Sequence, residues 1–298
     1  MNDRKQQVPD QIAVVSTATG SIELAYQEFG DGGDPVFLLI TGWFSDLTLW
    51  PRGFCKVLAE RGYRVIRYDN RDAGLSTRTV IDKIDPLNPP YTMSDLAGDA
   101  IGLLDALDVE QAHVAGFAFG GTISHLVAIE HPQRILSLVP LATASGARVD
   151  SSGAPLTVLP ASIRGLFGTP FPEGAEELDQ HHKRLFAAMA GSSFDEVEYD
   201  DRRKESALRG AELARGDIQS VVGTTTGDRT DLLVQVDVPV LVVHPEKDPL
   251  VSHAAAMLHT EAFRNGRLLI LDSIGHGVLP QRLWATLADA MNDNAKRR

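Results

Sequence analysis

A chain of 298 residues, 43% hydrophobic and 23% charged, carries ample apolar material for a sizeable core, which excludes the disordered, fibrous and coiled-coil classes. The 40 acidic against 28 basic side chains leave a net charge of −12, which repels a phosphate backbone and argues against nucleic acid as a partner. Cys55 is the only cysteine, so neither an intramolecular disulfide nor a cysteine-built metal site can form, and a reducing compartment is favoured. The polar stretch from Met1 to Ile12 has no apolar signal region, and no segment approaches the roughly 18 apolar residues of a membrane span. The expectation is a cytoplasmic protein with no membrane partner.

The first half alternates strands with helices, the pattern of a mostly parallel sheet. Ile12 to Val15 and Ile22 to Glu28, divided at Thr19-Gly20, predict an antiparallel hairpin. After the turn Asp31-Gly-Gly-Asp-Pro35 comes Val36 to Ile40, an unbroken apolar run suited to a strand covered on both faces. A helix is expected from about Leu49 to Arg61, a strand from Tyr63 to Tyr68, and a long amphipathic helix from Met93 to Leu107. His113 to Gly116 forms the next strand, Thr122 to Glu130 a helix ending before Pro132, and Ile135 to Leu141 another strand.

From Ala142 to Pro155 small and turn-forming residues dominate, marking a departure from the sheet. Helical patches follow at Glu176 to Ala190 and Lys204 to Arg215, with no convincing buried strand before about Thr230. The sheet resumes at Val240 to Val243 and Arg267 to Leu271, and an amphipathic helix from Pro280 to Asn292 closes the pattern. The division read from this is a core over residues 1–143 and 231–298, interrupted by a helical lid over 144–230.

The string Ala112-His-Val-Ala-Gly-Phe-Ala-Phe-Gly-Gly-Thr122 lies where a buried strand turns into a helix. A Gly-x-Ser-x-Gly elbow places a nucleophilic serine on such a strained turn, with glycines on either side because no side chain fits there. Gly116 and Gly120 are in place, and Ala118 stands where the serine belongs. Two later loops complete the constellation. In His244-Pro-Glu-Lys-Asp248 a carboxylate directly follows a buried strand, and in Asp272-Ser-Ile-Gly-His276-Gly a glycine-flanked histidine follows the last strand. An aspartate after a strand commonly caps a helix, and a loop histidine is commonly only solvated. Their joint occurrence, in the order nucleophile, acid, histidine, is what points to a site of the α/β-hydrolase kind. Glu246 ranks second to Asp248 as the acid. An anion-stabilising pocket of that kind draws on the amide after the nucleophile and on one just after the third strand, here Phe119 and Trp43.

The segment Arg67-Tyr-Asp-Asn-Arg-Asp-Ala-Gly-Leu-Ser76 is expected to form a charge and hydrogen-bond network around Asp69, Arg71 and Asp72 that shapes a turn, with no chemical step of its own. His181 and His182 lack partners at metal-ligand spacing, and neither metal nor cofactor is expected. Phe167, Phe171, Phe186, Met189 and Phe194 fit an aromatic pocket or the lid's own core.

On the elbow, Asp248, His276 and the Arg67 to Ser76 string, the chain resembles the α/β-hydrolase superfamily over nearly its whole length. It is similar more narrowly to the aclacinomycin methylesterase group, through Arg67 to Thr77, Asp105 to Gly116 and Phe194 to Tyr199. That group removes a methyl ester from an anthracycline, an aromatic polyketide. The resemblance implies an α/β fold with a mostly parallel sheet and a helical lid, a bulky apolar ester as ligand, Asp248 as acid, His276 as base and Ala118 at the nucleophile position. An alanine methyl cannot attack a carbonyl. Two explanations stand at this stage: a Ser-to-Ala variant of a working esterase, or a natural non-hydrolytic relative, either a ligand binder or a cyclase or lyase using the His276 and Asp248 dyad.

Overall fold

Val36–Ile40 is apolar at all five positions, and every one is buried, because alternate side chains feed two separate cores. Phe37 and Leu39 join one cluster, and Leu38 and Ile40 the other, across the sheet. The computed structural model describes residues 8–17, 20–146, 161–167, 171–214 and 216–297, apart from the side chains at 162 and 167. Its eight strands are β1 (Gln11–Thr17), β2 (Gly20–Phe29), β3 (Val36–Ile40), β4 (Arg64–Tyr68), β5 (Ala112–Phe117), β6 (Ile135–Leu141), β7 (Val240–Pro245) and β8 (Gly266–Leu271). They form one sheet in the order β1-β2-β4-β3-β5-β6-β7-β8. β1 pairs antiparallel with β2, and β2 with β4; every later pairing is parallel. The fold is the α/β-hydrolase fold, an eight-stranded, mostly parallel sheet flanked by helices.

The flanking helices are α1 (Arg52–Ala59), α2 (Met93–Ala106), α3 (Phe119–Glu130), α9 (His253–Glu261) and α10 (Trp284–Ala295), with α4 (Ala161–Phe167), α5 (Ala175–Ala190), α6 (Glu196–Leu208), α7 (Asp217–Val222) and α8 (Thr230–Leu233) lying between β6 and β7. α2 and α3 pack over one face and α1 and α10 over the other. The described residues between β6 and β7 form helices and turns, apart from an isolated bridge from Glu212 to Gly74. No helix among the described residues is long and apolar enough to cross a membrane.

Most expected elements occur within a residue or two of their expected bounds, and the departures have local causes. The helix expected from Leu49 to Arg61 is split. Asp46 caps a short 3-10 turn at Leu47–Leu49, and Pro51, with φ −59°, restarts the chain as α1. The helix expected at Lys204 to Arg215 instead begins at Glu196, because the Asp195 carboxylate accepts from the amides of Val197 and Glu198. It ends ahead of Gly210, whose φ of +76° leaves the helical region. Residue 215 lies outside the described residues, as do residues 147–155 of the small-residue segment. α9, which the sequence reading did not anticipate, starts where Ser252 Oγ accepts from Ala255 N.

Candidate active site

The turn from β5 into α3 is built by close backbone approach. A Cβ on Gly116 would sit 2.1 Å from the carbonyl oxygen of Gly120, and one on Gly120 would sit 2.4 Å from that of Thr41. Only glycine fits at either position. Between them Ala118 adopts φ +51° and ψ −108°, a conformation that L side chains rarely take. Its amide donates to Leu141 O at 2.8 Å, and its carbonyl accepts from Thr122 N at 3.1 Å. Phe119 opens α3, so its N–H has no acceptor within the helix.

Asp248 and His276 come together from the loops after β7 and β8. His276 Nδ1 donates to Asp248 Oδ2 at 2.8 Å, with the carboxylate fully buried and the imidazole 7% exposed. A carboxylate only accepts, so the proton sits on Nδ1 and Nε2 is left as an acceptor. Asp248 Oδ1 accepts from Leu250 N at 2.7 Å and Val251 N at 3.0 Å. Burial works to raise the Asp248 pKa. Attraction to His276 in its protonated form and the hydrogen bond from it, with the two amides, outweigh it and hold the carboxyl below its ordinary value. Glu246, the second choice as acid, is engaged elsewhere: its Oε2 accepts from Ser273 N at 2.8 Å.

Helices between β6 and β7 hold the histidine loop from above. His276 N donates to Met189 O at 3.0 Å, and Gly275 N donates to Ser193 Oγ at 2.9 Å. α7 and the residue that caps it hold the loop after β3. Trp43 Nε1 donates to Gly216 O at 2.8 Å, while Gln219 accepts from Phe44 N at 3.0 Å and donates to Arg71 O at 3.1 Å. Gln219 is buried, borders the cavity and was not singled out from the sequence; a lone glutamine in a segment without clear periodicity gives no signal.

These elements enclose a cavity of about 530 Å³. Ala118, Phe119, Trp43 and His276 all border it, together with apolar side chains such as Leu49, Met93 and Phe117. Asp248 stands behind His276, away from the cavity wall. Of the five candidate pocket residues between β6 and β7, Phe186 and Met189 line the cavity. Phe171 packs instead on Trp43 and His181, and Phe194 on Tyr199; the Phe167 side chain lies outside the described residues. His181 and His182 are buried among these rings, and burial pushes His182 down to about 3.

The Arg67 to Ser76 string forms the expected polar network, with partners drawn from far along the chain. Asp69 accepts from Leu47 N at 2.6 Å and Leu75 N at 2.8 Å, and pairs with Arg209 at 2.7 Å. Arg71 makes a two-pronged pair with Asp99 of α2, and Asp72 accepts from Tyr91 and Thr79.

The chain is 28% identical over 291 residues to the rhodomycin D methylesterases of Streptomyces sp. (strain C5) and Streptomyces peucetius, a span of 91% of this chain and 94% of each relative. Among solved structures, the enol-lactonase from Burkholderia xenovorans LB400 superposes with a TM-score of 0.73 at 21% identity, over 95% of this chain and all of that one. The sequence pattern of the α/β-hydrolase fold family matches residues 35–282. By that match, over most of its length, the chain belongs to the α/β-hydrolase family.

Proposed function

We propose that this chain is a carboxylic ester hydrolase of the methylesterase kind in a form without its nucleophilic serine, and that its cavity takes a bulky apolar or aromatic, polyketide-type ester. Ala118 occupies the nucleophile position, His276 is the general base and Asp248 its orienting acid. The amides of Trp43 and Phe119 form the oxyanion pocket, and residues 144–230 act as a lid. The observation that carries this reading is the 2.8 Å bond between His276 Nδ1 and Asp248, which leaves Nε2 of the neutral ring free to accept, on a residue that borders the same cavity as Ala118. The names of the methylesterase relatives agree with it.

The chemistry follows from the roles. A serine Oγ at position 118 would add to the ester carbonyl as His276 Nε2 takes its proton, and the two amides would stabilise the oxyanion. His276 would return the proton to the departing alcohol, and water would release the acid by the same steps. A methyl group can start none of this. Loss of the nucleophile from a serine triad costs on the order of a millionfold in kcat, leaving what binding and the oxyanion pocket supply.

The test is Ala118→Ser. The folded variant is expected to hydrolyse p-nitrophenyl and aryl methyl esters with a burst of acyl-enzyme, at a kcat about a millionfold above the unaltered protein. A folded Ala118→Ser protein that stays inert toward both ester classes would sink this reading.

A further inference from the structure

Arg229 precedes α8 and is 5% exposed, yet no carboxylate among the described residues lies within ion-pair distance of it. Its guanidinium donates Nη1 to Thr226 Oγ1 at 2.9 Å and to Gly227 O at 2.6 Å, and Nη2 to Ala144 O at 3.2 Å. Of five N–H bonds this uses three, and the buried Nε has no partner among the described residues. The neighbouring Asp228 turns to Thr230, accepting from its N at 2.9 Å and its Oγ1 at 2.6 Å. The charge of Arg229 is felt by His125 and His259, which are in contact at 2.9 Å between their Nε2 atoms; burial keeps both neutral, and neither can serve as a counter-ion. Burial also pulls the Arg229 pKa down to about 10, with only Asp228 pushing it back up.

Buried charges in folded proteins are paired, because an isolated ion loses its hydration without return. Among the described residues Arg229 has no such pairing, and it lies on the wall of the cavity that Ala118 and His276 also border. A purely structural role explains part of the arrangement, since Arg229 ties residues 144–145 to 226–230 through Ala144 O and through its own amide to Ser145 O at 2.8 Å. Those acceptors are neutral. A carbonyl latch needs donors and gains nothing from a full positive charge that no carboxylate among the described residues balances.

We propose that Arg229 is an anion-recognition site and that the cavity's ligand carries a carboxylate, docked on this guanidinium, as well as its bulky apolar body. The cavity volume of about 530 Å³ suits a drug-sized molecule, and a single guanidinium matches a single acid group. The proposal deepens the ester-site reading by naming the ligand's charge. It is tested without any hydrolysis, so the two can fail separately.

The probes are 2-naphthoate and its neutral isostere 2-naphthamide, titrated calorimetrically into the unaltered protein. The expected result is that naphthoate binds about tenfold more tightly, the scale of a charge-assisted hydrogen bond, against the repulsion of a chain with net charge −12. The preference should vanish in Arg229→Gln and persist in Arg229→Lys. Equal affinity for the two probes in the unaltered protein overturns the proposal, as does no naphthoate binding at millimolar concentration. An undiminished preference in a folded Arg229→Gln overturns it as well. The comparison in the unaltered protein stands even where a variant fails to fold.

Discussion

At the scale of single residues, the elbow carries a strain whose usual purpose its own side chain does not serve. A non-glycine residue at φ +51° costs roughly 1–3 kcal/mol, and Ala118 takes it on a turn so close that neither Gly116 nor Gly120 could carry a side chain. A serine there adds one oxygen beside an open cavity, so Ala118→Ser should fold as the unaltered chain does. In that background Asp248→Asn tests the proposed role of Asp248 as the acid. An amide NH₂ facing Nδ1 favours the tautomer with the proton on Nε2, where it can no longer accept from a serine. The expected outcome is a fall in kcat of about 10⁴-fold with KM little changed, measured by steady-state ester hydrolysis. A loss shared equally between kcat and KM would speak instead for a damaged cavity. Asp248 and His276 were legible in the sequence because each lies in the loop after an apolar strand run, and such loops meet at one edge of a parallel sheet. Gln219 and Arg229 were not. They lie in a stretch of turns and short helices, and nothing local shows that the chain folds back over the elbow.

At the scale of elements, charge rather than apolar area distinguishes α6. Arg209, at its end, is 2% exposed and pairs with Asp69 at 2.7 Å and Asp10 at 2.8 Å, with Asp46 at 3.6 Å. Arg202 stacks over Phe186 and Tyr199, and Glu205 reaches the buried Arg67. This ties the helix to the loops after β3 and β4, the first of which carries Trp43. Removing one partner of a buried pair strands the others, so Arg209→Ala should cost about 3–5 kcal/mol, read from the urea midpoint. Lys204→Ala, whose pair with Asp201 leaves the lysine 71% exposed, should change stability by well under 1 kcal/mol. Similar midpoints for the two variants would contradict a structural role for the network. The sequence showed the near half of this arrangement, Asp69, Arg71 and Asp72 clustered on one turn. The far half, Arg209 and Asp99, lay on helices whose polar residues looked like ordinary solvated faces. The strands were legible for the opposite reason: a run such as Val36–Ile40 has no other economical place than between two covered faces.

At the scale of the whole molecule, the buried histidines set how folding responds to acid. Burial lowers His113 to about 4, and His182 and His259 to about 3, and it holds His125 well below its ordinary value. The unfolded chain takes up these protons near pH 6.5, and the folded chain does not until far lower pH. Between those values the unfolded state binds more protons, so each group makes stability fall as pH falls, by about 2 kcal/mol per histidine at pH 5. His113 offers the cleanest separation of this effect from the titrating carboxylates. It is enclosed by Phe37 and Tyr63, and its Nδ1 meets Ser137 Oγ at 2.8 Å, a partner that an asparagine amide can also satisfy. His113→Asn loses packing and is expected to be less stable at pH 7. Its further loss on going to pH 5 should be shallower than that of the unaltered protein by about 2 kcal/mol, because one proton uptake has been removed from the unfolded state. Urea unfolding of both proteins at the two pH values measures the difference, and a stability gap that stays constant between pH 7 and pH 5 would show that His113 is already charged in the folded chain.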